Sequence, residues 1–269
     1  MTGIRTDKMQ YYCGIDIGAS TAKLVIINSE SQVVAKALGR SGIDYEKTSE
    51  QLLEDLIVAE SFDRSQIVIS LSTGYGRDNV PWADGKMTEI ACHGKGAYFH
   101  FQERMTVIDI GAQDSKIIHL DERGKRESFK MNRKCAAGTG AFIEEIAHRL
   151  ALNLSELNAL AETSTKDVSL GSFCTVFAAT EVLEKIRAGV DVADIVRGAF
   201  SSVVKRIVEM DRLDGMLVMT GGVVAHNPFL AKLIGQSFGT EAHIAPDAQY
   251  TGAFGAALFA AEQAHKSHS

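Results

Sequence analysis

Asp16-Ile-Gly-Ala-Ser-Thr-Ala-Lys23 and Asp109-Ile-Gly-Ala-Gln-Asp-Ser-Lys116 stand 93 residues apart and share five of eight positions. Each copy closes an apolar run (12–17 and 105–110), crosses a glycine turn and enters a β-branched run (24–27 and 117–120), the pattern of a β-hairpin. A third strand follows each, over 33–38 and 126–131. The first copy continues with a helix at 48–60, a strand at 66–72 and a helix at 89–99, and a similar alternation runs from Gly140 to His265. The pattern predicts an α/β protein of two duplicated βββαβα domains facing each other across a cleft. Their expected limits are 11–104 and 105–251, with a hinge near 101–105 and a C-terminal helix at 252–265 packing back on the first.

Composition narrows the function classes. The 269 residues are 45% apolar and 23% charged, with 28 Lys+Arg against 34 Asp+Glu and a net charge of −6. That balance argues against a nucleic-acid partner, which demands a basic face. No run of about 18 apolar residues is present and residues 1–10 are polar, so no membrane segment is expected and the location predicted is cytoplasmic. Cys13, Cys92, Cys135 and Cys174 are widely spaced, which leaves thiol, metal or core roles rather than disulfides. Residues 265–269 read as a frayed polar tail.

A glycine turn after a buried strand exposes backbone N–H groups to an anion, and phosphate is the natural guest. The turn residues Gly18, Ala19, Ser20 and Thr21, with Gly111 and Ala112 in the second copy, are the candidates. Asp16 and Asp109 would repel phosphate directly, so their expected role is to hold Mg²⁺, while Lys23 and Lys116 offset the negative charge. The bland alternative is that both Asp close tight turns and both Lys are solvated. A third element is the apolar strand ending in Thr220-Gly221-Gly222, where glycines let a base or ribose lie against the main chain.

Cys135 opens Cys135-Ala-Ala-Gly-Thr-Gly140 ahead of a helix at 140–150, and Cys174 lies in Gly171-Ser-Phe-Cys-Thr175 ahead of a helix at 179–187. Helix N-termini stabilise thiolates. An iron–sulfur cluster takes four, so two chains would share one [4Fe–4S] cluster at a twofold axis. The alternative for either Cys alone is a small buried hydrophobe, and that role is assigned to Cys13 and Cys92. Glu144, Glu145, Glu181 and Glu184 read as solvated helix faces. Arg133 and Lys134 fit a simple surface role as well as they fit tuning of a cluster or docking of an acidic partner, and His93, His119 and His226 show no ligand spacing.

The order of hairpin, hairpin, strand-Gly-Gly and the Gly-spaced helix from Thr251 resembles the actin-like ATPase superfamily, which includes sugar kinases. With Asn132-Arg-Lys-Cys-Ala-Ala-Gly-Thr-Gly140 and Phe173-Cys174 in place, the chain more specifically resembles the activators of 2-hydroxyacyl-CoA dehydratases and the ATPase subunits of benzoyl-CoA reductases. Ala112 departs from the Gly common there. The resemblance implies ATP or ADP with Mg²⁺ between the domains, and Gln113 and Asp114 orienting the attacking water. It implies Cys135 and Cys174 as ligands of a [4Fe–4S] cluster shared by a homodimer or paralogous heterodimer. Ferredoxin or flavodoxin is the implied donor, and an iron–sulfur CoA-thioester dehydratase or reductase the acceptor. A cluster-free small-molecule kinase and a nucleotide-dependent scaffold are the rival expectations.

Overall fold

The computed structural model describes residues 10–166, 168–171 and 174–267. These divide into two units, one formed by the described residues up to Gly96 together with 250–267 and the other by those of 97–249.

The first unit opens with β1 (Tyr11–Ile17), β2 (Thr21–Asn28) and β3 (Val33–Arg40), followed by α1 (Tyr45–Glu60), β4 (Ile67–Thr73), β5 (Gly85–Lys86) and α2 (Glu89–Phe101), within which the division falls. Its sheet has the order β3-β2-β1-β4-β5, antiparallel across β1–β2–β3 and parallel across β1–β4–β5. The second unit repeats that plan with β6 (Met105–Ile110), β7 (Ser115–Leu120) and β8 (Arg126–Asn132). Four helices intervene, α3 (Gly140–Arg149), α4 (Leu157–Thr163), α5 (Thr175–Arg187) and α6 (Val192–Met210). Then come β9 (Met216–Thr220), α7 (Gly222–His226), α8 (Phe229–Phe238) and β10 (Ala242–Ile244), in a sheet ordered β10-β9-β6-β7-β8. The last helix, α9 (Thr251–Ser267), returns to the first unit.

β1 is buried at every position, which explains its unbroken apolar run. Its alternate residues Tyr11, Cys13, Ile15 and Ile17 face a core with Leu53 and Leu56 of α1, whereas Tyr12 faces Ala253, Ala257 and Ala261 of α9. The α9 backbone lies directly on β1: a Cβ at Gly14 would stand 2.0 Å from the Ala253 carbonyl oxygen. Small side chains are therefore required on both elements. In the second unit Phe142 and Ile146 of α3, Val182 of α5 and Phe200 and Val203 of α6 share one core with Ile108, Ile110 and Ile117 of β6 and β7. Each such fully buried side chain contributes about 1.5–3 kcal/mol.

Helix boundaries follow the capping chemistry. α1 starts at Tyr45, ahead of the expected 48, because the Asp44 carboxylate accepts the Lys47 N–H at 3.0 Å. α5 starts at Thr175 rather than 179, which makes Cys174 its N-cap. The expected frayed tail is helical as far as Ser267, with the His265 ring 6.2 Å from that of Tyr12. Among the described residues no helix is long and apolar enough to cross a membrane.

Candidate functional site

The seven-residue spacing of Asp and Lys has a simple origin: in both hairpins the two residues are direct cross-strand partners, Asp16 opposite Lys23 and Asp109 opposite Lys116. The copies differ in how tightly the pair closes. Lys116 is wholly buried, with Nζ 2.9 Å from Asp109 Oδ2 and 2.8 Å from Asp114 Oδ1. Asp109 Oδ1 accepts the Thr220 hydroxyl at 3.1 Å. In the first unit Lys23 lies 3.5 Å from Asp16 Oδ2, and the buried Asp16 Oδ1 has no hydrogen-bond partner among the described residues. A buried carboxylate oxygen left without a donor is costly unless a ligand satisfies it.

Parallel pairing adds residues that the sequence reading missed. Thr73 stands beside Asp16 as Thr220 stands beside Asp109, and each threonine precedes a glycine of positive φ, Gly74 at +88° and Gly221 at +98°. A Cβ at Gly221 would lie 2.5 Å from the Ile110 carbonyl oxygen and 2.7 Å from Asp109 Oδ1, so the chain passes over the carboxylate there only as glycine. Thr73-Gly74 is thus the first-unit counterpart of Thr220-Gly221.

The turns themselves are closed by Gly18 N–H donating to the Thr21 carbonyl at 3.1 Å and Gly111 N–H donating to the Asp114 carbonyl at 2.9 Å. Ala19 and Ser20 are exposed at the first tip and Gln113 at the second. The carbonyls of Gly18 and Gly111 occupy equivalent places but have different partners. Gly18 accepts the Ser41 hydroxyl at 2.6 Å, a local tie. Gly111 and Ala112 accept the N–H groups of Gly140 and Ala141, at 2.9 and 2.8 Å, so the second turn is bonded to the first residues of α3. Gln113 and Asp114, expected to act together, part here: Asp114 is tied to Lys116, while the Gln113 side chain points outward.

Cys135 lies five residues before Gly140 on the loop that feeds α3. Asn132 Nδ2 holds that loop by donating to the carbonyls of Cys135 at 3.0 Å and Ala137 at 2.9 Å, and Ser115 Oγ donates to the Gly138 carbonyl. Cys174 caps α5, and α3 packs against α5. The segment upstream of Cys174 is held by Asp194 of α6, which accepts from the Ser164 hydroxyl and from the N–H groups of Lys166 and Thr165. The Ser164 hydroxyl chiefly holds this buried carboxyl below its usual range. Glu181, expected on a solvated face, instead accepts the Gly171 N–H at 2.8 and 2.9 Å. Phe173 lies outside the described residues.

Cys135 and Cys174 are both exposed, whereas Cys13 and Cys92 are buried and burial pushes their thiols up to about 12, with the Thr73 hydroxyl acting against the shift at Cys92. At pH 8 a thiol of that acidity is about 10⁻⁴ ionised. Iodoacetamide treatment of the native iron-free protein should therefore alkylate Cys135 and Cys174 alone, and all four only after unfolding, as read by peptide mass spectrometry. Labelling of Cys13 or Cys92 in the native protein would contradict this.

The model of the BadF/BadG/BcrA/BcrD ATPase family matches residues 13–260. The chain belongs to that family. It is 40% identical over 260 residues to the (R)-2-hydroxyglutaryl-CoA dehydratase activating ATPase of Acidaminococcus fermentans, covering 95% of this chain and 99% of the relative. To the activator of lactoyl-CoA dehydratase of Anaerotignum propionicum it is 38% identical over 259 residues, covering 95% of this chain and 99% of the relative. The solved activator of 2-hydroxyisocaproyl-CoA dehydratase from Clostridium difficile, with bound ADPNP, superposes with a TM-score of 0.87 at 36% identity, covering 96% of this chain and 97% of that one. The fold of this family member is the duplicated actin-like α/β fold.

Proposed function

We propose that this member of an ATPase family is an iron–sulfur electron activator: a dimer that hydrolyses ATP and delivers a low-potential electron to an iron–sulfur CoA-thioester dehydratase or reductase. The observation that carries the reading is the pair of hydrogen bonds from Gly140 and Ala141 to Gly111 and Ala112, because it joins a phosphate-type turn to the helix that follows an exposed cysteine. A change in the turn on nucleotide binding or hydrolysis shifts α3 and with it the Cys135 loop. The equivalent turn in the first unit is tied to Ser41 instead and, among the described residues, has no such connection.

In this reading the turn residues Gly18, Ala19, Ser20, Thr21, Gly111 and Ala112 and the segment Thr220-Gly221-Gly222 bind ATP or ADP. The partnerless oxygen of Asp16 fits a hydrated Mg²⁺, and Asp109, with both oxygens engaged, serves more to orient the turn. Lys23 and Lys116 balance these carboxylates, and Gln113 positions water from its exposed amide, with Asp114 fixing the turn beneath it.

Two exposed thiols per chain suit a [4Fe–4S] cluster completed by a second subunit, identical or paralogous. When bound, such a cluster supplies a one-electron site whose potential follows its hydrogen bonding and exposure. Val176 and Phe177, 72% and 67% exposed beside Cys174, give the second subunit an apolar surface to cover.

Native mass spectrometry of protein purified without oxygen tests the whole reading in one spectrum. A dimer with the mass of one four-iron cluster and bound nucleotide is expected. An iron-free monomer that binds ATP, after iron and sulfide have been supplied, would overturn it.

A further inference from the structure

Electron transfer requires an entry point, and the edge of the second sheet carries a charge that the proposed activity leaves unused. From Arg123 to Lys134 stand six cations, Arg123, Lys125, Arg126, Lys130, Arg133 and Lys134, against one acid, Glu127, in a chain of net charge −6. All six are exposed, and among the described residues none is within ion-pair distance of a carboxylate. Glu127 is bound to Arg104 at 2.9 Å. Asp121, at the turn before the strip, is occupied by the N–H groups of Lys125 and Arg123, which together with those two side-chain charges hold it below its usual range.

Lysines on edge strands commonly guard against edge-to-edge pairing. The duplicated fold shows that this cannot be the whole reason. β3 is the equivalent edge of the first sheet in the same register, Val25 opposite Lys36 where Ile118 is opposite Phe129, yet 30–41 carries two cations and one acid. Where β3 has Lys36, β8 presents Phe129, 46% exposed with the Arg126 guanidinium 5.4 Å from its ring centre. An exposed aromatic on an edge invites contact. The strip leads directly into Cys135, whose backbone carbonyl is held by Asn132.

We propose that the β8 edge, with Arg126 and Lys130 at its centre, is the docking surface for a small acidic electron-carrier protein that reduces the chain on its Cys135 side. This rests on the electron-transfer reading above. One electron leaves the reduced carrier and one arrives at the cluster; no bond forms and no proton is required. A charged strip favours fast, salt-sensitive, short-lived encounters, as suits a carrier that leaves after one electron. The apolar residues Val176, Phe177, Leu183 and Ile186 suit a lasting contact instead.

The test follows reduction of the cluster-loaded dimer by stopped-flow, using a reduced acidic ferredoxin and, separately, reduced methyl viologen, a small cation. For the Arg126→Glu/Lys130→Glu variant the second-order rate with ferredoxin should fall at least about tenfold and lose its salt dependence, while the viologen rate is kept or rises. The milder Arg126→Gln/Lys130→Gln variant should fall in between. A ferredoxin rate within about twofold of wild type in both variants would overturn the proposal. So would an equal loss with viologen, which marks a disturbed cluster, or selective loss of binding to single-stranded RNA, which marks a nucleic-acid surface. Wild-type protein that takes up no cluster would instead refute the electron-transfer reading itself, a result visible in the absorbance spectrum before any mixing.

Discussion

Cys135→Ser protein, prepared without oxygen and supplied with iron and sulfide, should retain nucleotide binding and lose essentially all of its cluster iron, and Cys174→Ser protein should do the same. Both thiols are exposed and belong to segments anchored independently of the side chain, through Asn132 at Cys135 and through the Ala178 N–H bonded to the Cys174 carbonyl at 2.8 Å. Exchange of sulfur for oxygen therefore leaves the loop and the helix start in place while removing a thiolate ligand. The second turn, bonded to Gly140 and Ala141, is likewise untouched, so isothermal titration with ADP should give a wild-type affinity. Cys13→Ala and Cys92→Ala are the controls, since those thiols are buried and protonated, and both proteins should keep their iron. Full iron content in Cys135→Ser protein would sink the cluster assignment.

Lys116→Met should destabilise the protein more than the equivalent change in the first hairpin, Lys23→Met. Met conserves the length of the stem, so the expected loss comes from charge: Asp109, 2% exposed, and Asp114 would keep their carboxylates with the shared ammonium gone. Removing one partner of a buried ion pair costs about 3–5 kcal/mol. At about 2–4 °C per kcal/mol for a chain of this size, the unfolding temperature should fall by roughly 6–20 °C. Lys23→Met offers the comparison within the molecule. Lys23 is partly exposed and 3.5 Å from Asp16, a longer and wetter contact, so its loss should cost less than that of Lys116. Adding Asp109→Asn to Lys116→Met should recover part of the stability, because the neutral amide keeps an oxygen for the Thr220 hydroxyl. Calorimetry of the nucleotide-free proteins decides it; equal shifts for Lys23→Met and Lys116→Met would show that burial of the second pair has no energetic consequence.

The hairpins are legible in the sequence because their physics is local. An apolar run, a glycine turn and a β-branched return fold onto themselves, and cross-strand register alone sets the distance from Asp to Lys. That is why a 93-residue offset exposes the duplication. The apolar pattern places the starts of α1 and α5 a few residues late, because it begins after the cap, whereas Asp44 and Cys174 begin the helix with backbone geometry. Ser41 and Asn132 give no detectable signal as turn and loop anchors, since a polar residue in a loop is ordinary until its partner carbonyl is known.

The third repeated element shows where local reading ends. Thr73-Gly74 and Thr220-Gly221 are equivalent through their parallel pairing with β1 and β6, but they stand 147 residues apart, because among the described residues α3, α4, α5 and α6 lie between β8 and β9 where α1 and one short 3-10 turn lie between β3 and β4. A parallel strand is reached by a crossover of any length, so its partner carries no fixed spacing. The same holds for the difference between the two carboxylates. Asp16 and Asp109 are interchangeable in their octapeptides, and parallel pairing sets a threonine beside each; their environments diverge because the Thr220 hydroxyl bonds Asp109 while Asp16 Oδ1 is left unbonded among the described residues, and because burial seals Lys116 against Asp109. Short-range patterning thus accounts for the duplicated hairpins, the candidate phosphate turns and the two cysteines ahead of helices. Which turn is bonded to the cysteine loop, which carboxylate keeps an open oxygen and which sheet edge is left basic depend on contacts between residues far apart in the chain, whose partners are chosen by packing.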